Sequence, residues 1–324
     1  MASEVKIDLP AIAQNALRPY YEGNHNTGNQ YEIVFILYLL RIMGLTNTDI
    51  DGLAPYLAVV RRFNPKFVEE WITYLKSLPV GTDFMLEGSR VVNLRNVTQD
   101  DKDGGTGDVI AVLENGHERS ISVEKGTVKK DGSISKCLSN PSCKRFGCSD
   151  AMITEFKRVA AVAVDEFIVE MSSGFGEDKN NWPPRTKTAA QNKCINYIAT
   201  KTSAYFNGLD NGKKAEIIED LLRVKGGSKP ADYLGLVSEN LKNMSIWSFG
   251  ELIINPSDYD LLVRGDDLKV CHRISGDIIG STQVKFNNGV YKKDKNDGIW
   301  KTSSVTSSWN GTFTLTKVFR MTRV

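Results

Sequence analysis

The sequence predicts a mixed α/β (α+β) fold: a mixed central β-sheet flanked by helices, followed by a carboxy-terminal region of helices and short strands. Three observations carry this. Residues 31–44, YEIVFILYLLRIMG, are apolar on nearly every side, the pattern of a buried helix. Residues 84–130 switch to short runs rich in Val and Ile (FMLEGSRVVNLRNV, DVIAVL, RSISVEK), separated by TQDDKDGGTG and ENGH. Residues 152–171, MITEFKRVAAVAVDEFIVEM, return to a long helical pattern.

In chain order, the first eighty residues read as helical. Gly44 stops the apolar helix. TDIDGLAPYLAVVRRF follows, then NPKFVEEWITYLKSLP, in which Asn64 suits a cap, Pro65 the first helical position and Pro79 the end. Residues 84–125 read as three antiparallel strands, with Asn115-Gly116 as the hairpin signal. Residues 131–150 are a loop, and Ser149 or Asp150 caps the long helix. After the break SSGFGEDKNNWPPR (172–185), TAAQNKCINYIATKTSAYF, KKAEIIEDLLRV and PADYLGLVSENLKNM read as helices. From Ser245 onward short strands dominate: SIWSFGELII, YDLLVR, STQVKF, GTFTLTKVF. No internal repeat stands out, so the break divides the chain into 1–172 and 173–324, if it divides at all.

Composition narrows the function classes. The chain has 324 residues, 41% hydrophobic and 25% charged, which is ordinary for a globular protein. A net charge of +2 leaves any nucleic-acid footprint to a local patch. No apolar run is long enough for a membrane span, and MASEVKIDLPAIAQNAL has no basic-then-apolar leader pattern. Five cysteines without an export signal suggest reduced thiols and a cytoplasmic location.

The stretch GTGDVIAVLENGHERSISVEKGTVKK (105–130) carries the chemistry. A two-residue turn at Asn115-Gly116 pairs Glu114 with His117 and sets Asp108 opposite Val123, so Lys125 shares the face of Asp108. A bulge at the turn moves the register by one residue, and Ser122 and Glu124 then share that face. Either arrangement gathers an acid and a Glu-Lys pair at one end of a hairpin. Such a group suits metal-assisted phosphodiester hydrolysis. Carboxylates hold Mg²⁺, the metal activates water, and a lysine offsets developing charge.

At these residues the chain resembles the PD-(D/E)xK nuclease fold, the fold of most type II restriction endonucleases. There, an Asp on one strand precedes an acid, a spacer and a Lys on the next. Asp108 matches the first acid, preceded by Gly107 rather than Pro. The second half departs from the pattern. With Glu124 as the acid, the lysine place holds Gly126; with Lys125 as the lysine, the acid place holds Val123. With Ser122 and Glu124 in the two places, a polar residue replaces the acid and a carboxylate the lysine. Residues 24–40, NHNTGNQYEIVFILYLL, are similar to the amino-terminal Gly-Asn-x-x-Glu helix of such nucleases, with Glu32 at the acid position.

The loop after the second strand is similar in placement to a basic Ser/Asn/Arg loop of some members. Residues 119–146 hold seven basic residues against two acidic ones. The resemblance implies a restriction-endonuclease-like core, a Mg²⁺-dependent site-specific endonuclease and double-stranded DNA as partner. A homodimer would match palindromic sites. It implies Glu32, Asp108 and Glu124 as metal ligands, with Ser122 and Lys125 also in the catalytic group. DNA contacts would come from Lys129, Lys130, Lys136, Ser139, Asn140, Lys144 and Arg145.

Other readings stand beside this one. Asp108 after GGTG also suits a turn cap, Glu124-Lys125 an exposed strand-end pair, and Glu32 a first-turn acid favoured by the helix dipole. Cys137, Cys143 and Cys148, with His117 or Cys194, would make a zinc site of unusual spacing. Trp300, Lys301, Trp309, Lys317 and Arg320 would suit a DNA surface or ordinary sheet. A structure-directed repair nuclease, a non-catalytic DNA-binding protein and a zinc-stabilised module are the rival functions.

Overall fold

The structure is a computed structural model, and it describes residues 7–22, 29–57, 65–97, 108–136, 141–183, 188–224, 229–285, 291–293, 300–302 and 311–324. The chain is α+β and forms two compact units. One comprises 1–134, 229–251 and 319–324, the other 135–228 and 252–318. The break at 172–185 falls inside the second unit, not between the two.

The first unit holds helices α1 (Leu9–Glu22), α2 (Asn29–Ile42), α3 (Asn47–Gly52) and α4 (Pro65–Ser77). Its sheet has the strands β1 (Met85–Leu86), β2 (Ser89–Asn96), β3 (Val109–Leu113), β4 (Glu118–Lys125), β6 (Tyr233–Val237), β7 (Met244–Leu252) and β14 (Phe319–Arg323), adjacent in that order. The apolar helix, the helix opening at Pro65 and the antiparallel meander are present as expected; of TDIDGLAPYLAVVRRF, α3 covers the start and residues 58–63 lie outside the described residues. Pro65 opens α4 as its sequence position suggests.

One expectation is overturned. Residues 230–244 do not form a helix; Tyr233–Val237 is a strand, parallel to β4 with Lys125 opposite Val237. All five residues of β6 are buried. A continuous apolar run is the signature of a parallel strand covered on both faces, and period alone does not separate it from a buried helix. The chain from β4 to β6 makes the long crossover that a parallel pair requires, passing through residues of the second unit.

Helices α1, α2 and α4 bury one face of the sheet. Their apolar side chains form a single core with Leu86, Val91, Leu94, Val109, Ala111, Leu113, Ile121, Val123, Tyr233 and Val237. Helix α2 is nearly all core, which explains its lack of a polar stripe. The outer end of the Phe35 ring of α2 packs against Gly235; a Cβ there would sit 2.5 Å from the ring. Gly235→Ala is therefore expected to destabilise the protein by about 1–3 kcal/mol through overpacking, read as a lower urea midpoint at unchanged slope.

The second unit holds α5 (Asp150–Phe175), α6 (Ala189–Asn207) and α7 (Asn211–Leu222). Its sheet is ordered β5 (Ser135–Lys136), β13 (Thr312–Thr314), β10 (Ile278–Gln283), β9 (Asp267–His272) and β8 (Tyr259–Arg264), with a separate pair β11 (Tyr291–Lys293) and β12 (Trp300–Thr302). Ser149 caps α5 through Met152 N–H, and Thr188 and Gln191 form a capping box on α6. The buried Lys214 ammonium bonds to Asp260 at 2.7 Å, tying α7 to β8.

A candidate active site at the carboxyl ends of β4 and β6

The hairpin turn sets the site. Leu113 N–H donates to His117 O at 2.8 Å and Gly116 N–H to Leu113 O at 2.8 Å, so the loop has three residues, Glu114-Asn115-Gly116. Gly116 has φ +82, the left-handed position such a loop needs. The turn is thus the bulged alternative, not the two-residue one. Val109 faces Ile121 and Ile110 faces Ser120, which brings Asp108, just before β3, level with Ser122 rather than Val123.

Asp108 caps the open end of the hairpin. Its N–H donates to Ile121 O at 2.9 Å. Its Oδ2 accepts from Val123 N–H at 2.6 Å and from Ser122 Oγ at 3.3 Å. Glu32 enters from the first turn of α2, where the helix dipole favours a negative charge. Its Oε2 accepts from the Tyr20 hydroxyl at 2.6 Å. Tyr20, on α1, is almost wholly buried. Burial first, then the charges of Glu32 and Asp108, hold its proton far above the ordinary phenol range. The phenol is a permanent donor, and the two carboxylates that act on it belong to one neighbourhood.

Lys125 ends β4. Its ammonium bonds to Glu239 Oε1 at 2.6 Å. That bond, with contributions from Tyr31 of α2, raises its pKa above the ordinary lysine value. It is a cation at neutral pH, suited to offsetting negative charge and poorly suited to removing protons.

Alternation along β4 sorts the remaining residues. Ile121 and Val123 point into the core beneath α1 and α2, and Lys125 shares their face. Ser122 and Glu124 share the opposite face. Glu32 of α2 and Lys125 of β4 belong to the α2 side, while Asp108, level with Ser122, is held at the open end of the hairpin by Ser122 Oγ and Val123 N–H. Among the described residues no group of three or more His, Cys, Asp or Glu side chains is assembled for a metal. Glu32 and Asp108 nevertheless suit Mg²⁺, a hard ion commonly held by one or two carboxylates with water and phosphate completing the shell.

The basic residues divide between the units. Lys129 and Lys130 are exposed on a tight turn of the first unit, closed by Gly132 N–H to Lys129 O at 2.9 Å. In the second unit Lys144 is exposed and Arg145 pairs with Asp220. Lys136 departs from its expected surface role: it is buried in β5, which is paired with β13. Ser139, Asn140, Cys137, His25 and Trp309 lie outside the described residues. Cys143, Cys148 and Cys194 are buried free thiols, and burial pushes Cys143 up to about 12. Lys317 bonds to Ile278 O and Arg320 pairs with Glu251.

Tyr20, Tyr31 and Glu239 carry no signal in the sequence. Tyr20 meets Glu32 only because α1 packs on α2. Glu239 meets Lys125, 114 positions earlier, only through the parallel pairing of β4 and β6. No helix among the described residues is long and apolar enough to cross a membrane. No protein-family model, no curated protein and no solved structure matches this chain.

Proposed function

We propose that the first unit is the catalytic core of a Mg²⁺-dependent endonuclease acting on double-stranded DNA, in the manner of type II restriction enzymes of the PD-(D/E)xK fold. One observation carries the reading. Glu32 and Asp108, far apart in the chain, both act on the buried Tyr20 phenol, beside the hairpin whose second strand ends in Lys125. The region outside the carboxyl ends of parallel strands is where open α/β sheets bind ligands. The order of elements supports it: a helix with an acid in its first turn, an antiparallel meander with Asp108 just before β3 and Lys125 at the end of β4, and a parallel strand after a crossover.

In this reading Glu32 and Asp108 hold Mg²⁺, which when bound supplies water activation and charge neutralisation at the scissile phosphate. Tyr20 donates to one oxygen of Glu32 and fixes its orientation. Lys125 offsets the charge that builds on the phosphate oxygens. Lys129 and Lys130 contact the backbone of the duplex. In the observed register Ser122 and Glu124 lie on the strand face level with Asp108, so Ser122 stands where the pattern has its second acid and Glu124 where it has its lysine. A homodimer would read a palindromic site.

The missing third acid favours a second reading, a DNA-binding protein without catalysis. A digest of unmethylated phage DNA with Mg²⁺ or with EDTA separates the two. Discrete Mg²⁺-dependent bands establish a site-specific endonuclease. A smear indicates cutting by structure or without specificity. Intact DNA in both lanes, with binding retained, establishes the binder.

A further inference from the structure

We propose that Glu239 is a resident anion on Lys125, occupying the place of a phosphodiester oxygen and yielding it to the phosphate that the site takes. This rests on the reading of the site as one for nucleic acid.

Three features of the structure carry it. First, the Glu239 carboxylate oxygen sits 2.6 Å from the Lys125 ammonium, the geometry a phosphate oxygen would adopt. Second, the pair is exposed, with 82% of the Glu239 side chain open to solvent. Exposed pairs are weak, so an anion held by further contacts displaces this one at little cost.

Third, the backbone under Glu239 is locked while its side chain is exposed. Ser238 N–H donates to Asn243 O at 2.9 Å, and Leu241 N–H to Ser238 O at 2.9 Å. Asn243 N–H donates to Ser238 Oγ at 3.0 Å, and Lys242 N–H to Asn240 Oδ1 at 3.1 Å. Leu241 takes a left-handed φ of +59 and buries its side chain in the core. The Tyr74 hydroxyl ties the turn to α4 through Lys242 O at 2.6 Å. The carboxylate can rotate away without moving the turn, and it returns to the same place.

The consequence is selectivity. A phosphate that reaches Lys125 alone must compete with a carboxylate fixed nearby. A phosphate that the rest of the site also holds wins the competition. Glu239 therefore lowers the affinity of the site for indiscriminate backbone contact.

The test uses the full chain with Glu239→Gln, Lys125→Gln and the double variant. Both residues are exposed, so all three should fold. Binding of a short DNA duplex is followed by fluorescence anisotropy in EDTA, between about 50 and 200 mM salt. Glu239→Gln is expected to tighten binding about three- to fivefold at low salt, the ceiling set by a weak pair. The gain should vanish in the Lys125→Gln background. An equal gain in that background would reduce the effect to net charge and overturn the proposal, as would weaker binding by Glu239→Gln.

A second titration separates this from failure of the nucleic-acid reading. Inorganic phosphate is added while the Lys125 Nζ resonance is followed by NMR. A shift at lower phosphate in Glu239→Gln than in the wild type upholds the resident anion even if DNA does not bind. Identical titrations reject it even if DNA is cut.

Discussion

Asp108→Asn is expected to lower Mg²⁺-dependent cleavage by about 10³-fold or more while leaving the fold and DNA binding in EDTA intact. The amide keeps an oxygen where Oδ2 now accepts from Val123 N–H and Ser122 Oγ, so the hairpin end stays capped. Only the charge is lost, and with it a hard anionic ligand for the metal. Asp108→Ala removes the acceptor as well. It leaves the Val123 N–H without this partner, for a further loss of about 1–3 kcal/mol in stability. Comparing the two separates a catalytic carboxylate from a turn cap. If Asp108→Asn cuts DNA like the wild type and only Asp108→Ala is impaired, the residue is a cap and the proposed site is wrong. The readouts are initial cleavage rates, a urea melt and binding without metal.

Arg41→Met should produce the largest loss of stability, about 3 kcal/mol or more. Arg41 is buried at the end of α2. Its guanidinium donates to Leu45 O at 2.7 Å, to Leu78 O at 2.6 and 3.1 Å, and to Lys76 O at 3.2 Å. Lys76 lies in the last turn of α4 and Leu78 just beyond it, where helix carbonyls have no partner of their own. Methionine fills a similar volume but donates nothing, and three carbonyls lose their bonds at once. Arg41→Lys should recover part of the loss, since an ammonium replaces the charge but not the planar fork.

The consequence reaches the site. Arg41 holds one end of α2, and Glu32 projects from the other. A destabilised variant that still folds at low temperature should keep its DNA binding and lose cleavage as α2 loosens. A urea midpoint within experimental error of the wild type would refute the structural role.

Local chemistry was enough to place most elements. The all-round apolarity of residues 31–44 made α2 a core helix, and Pro65 and Ser149 marked helix starts because capping depends on adjacent residues. The Asn-Gly signal placed the hairpin, and Asp108 and Glu32 stood out as acids beside apolar runs. Each rests on interactions within a few positions, which sequence records directly.

Tertiary structure decided the rest, because it depended on partners distant in the chain. The run YLGLV suits a buried helix or a buried strand equally, and only a place beside β4 made it β6. Two hairpin registers differed by one residue, and the pairing of Leu113 with His117 chose between them, setting Asp108 level with Ser122 rather than Val123. Lys136 is basic in sequence yet buried in a strand. The sequence by itself determined that this chain holds a hairpin with acids and a lysine at its open end. Tyr20 on Glu32 and Glu239 on Lys125 came from the packing of α1 on α2 and from a parallel strand pair. Side-chain chemistry at one position does not specify which distant residue the folded chain will set against it.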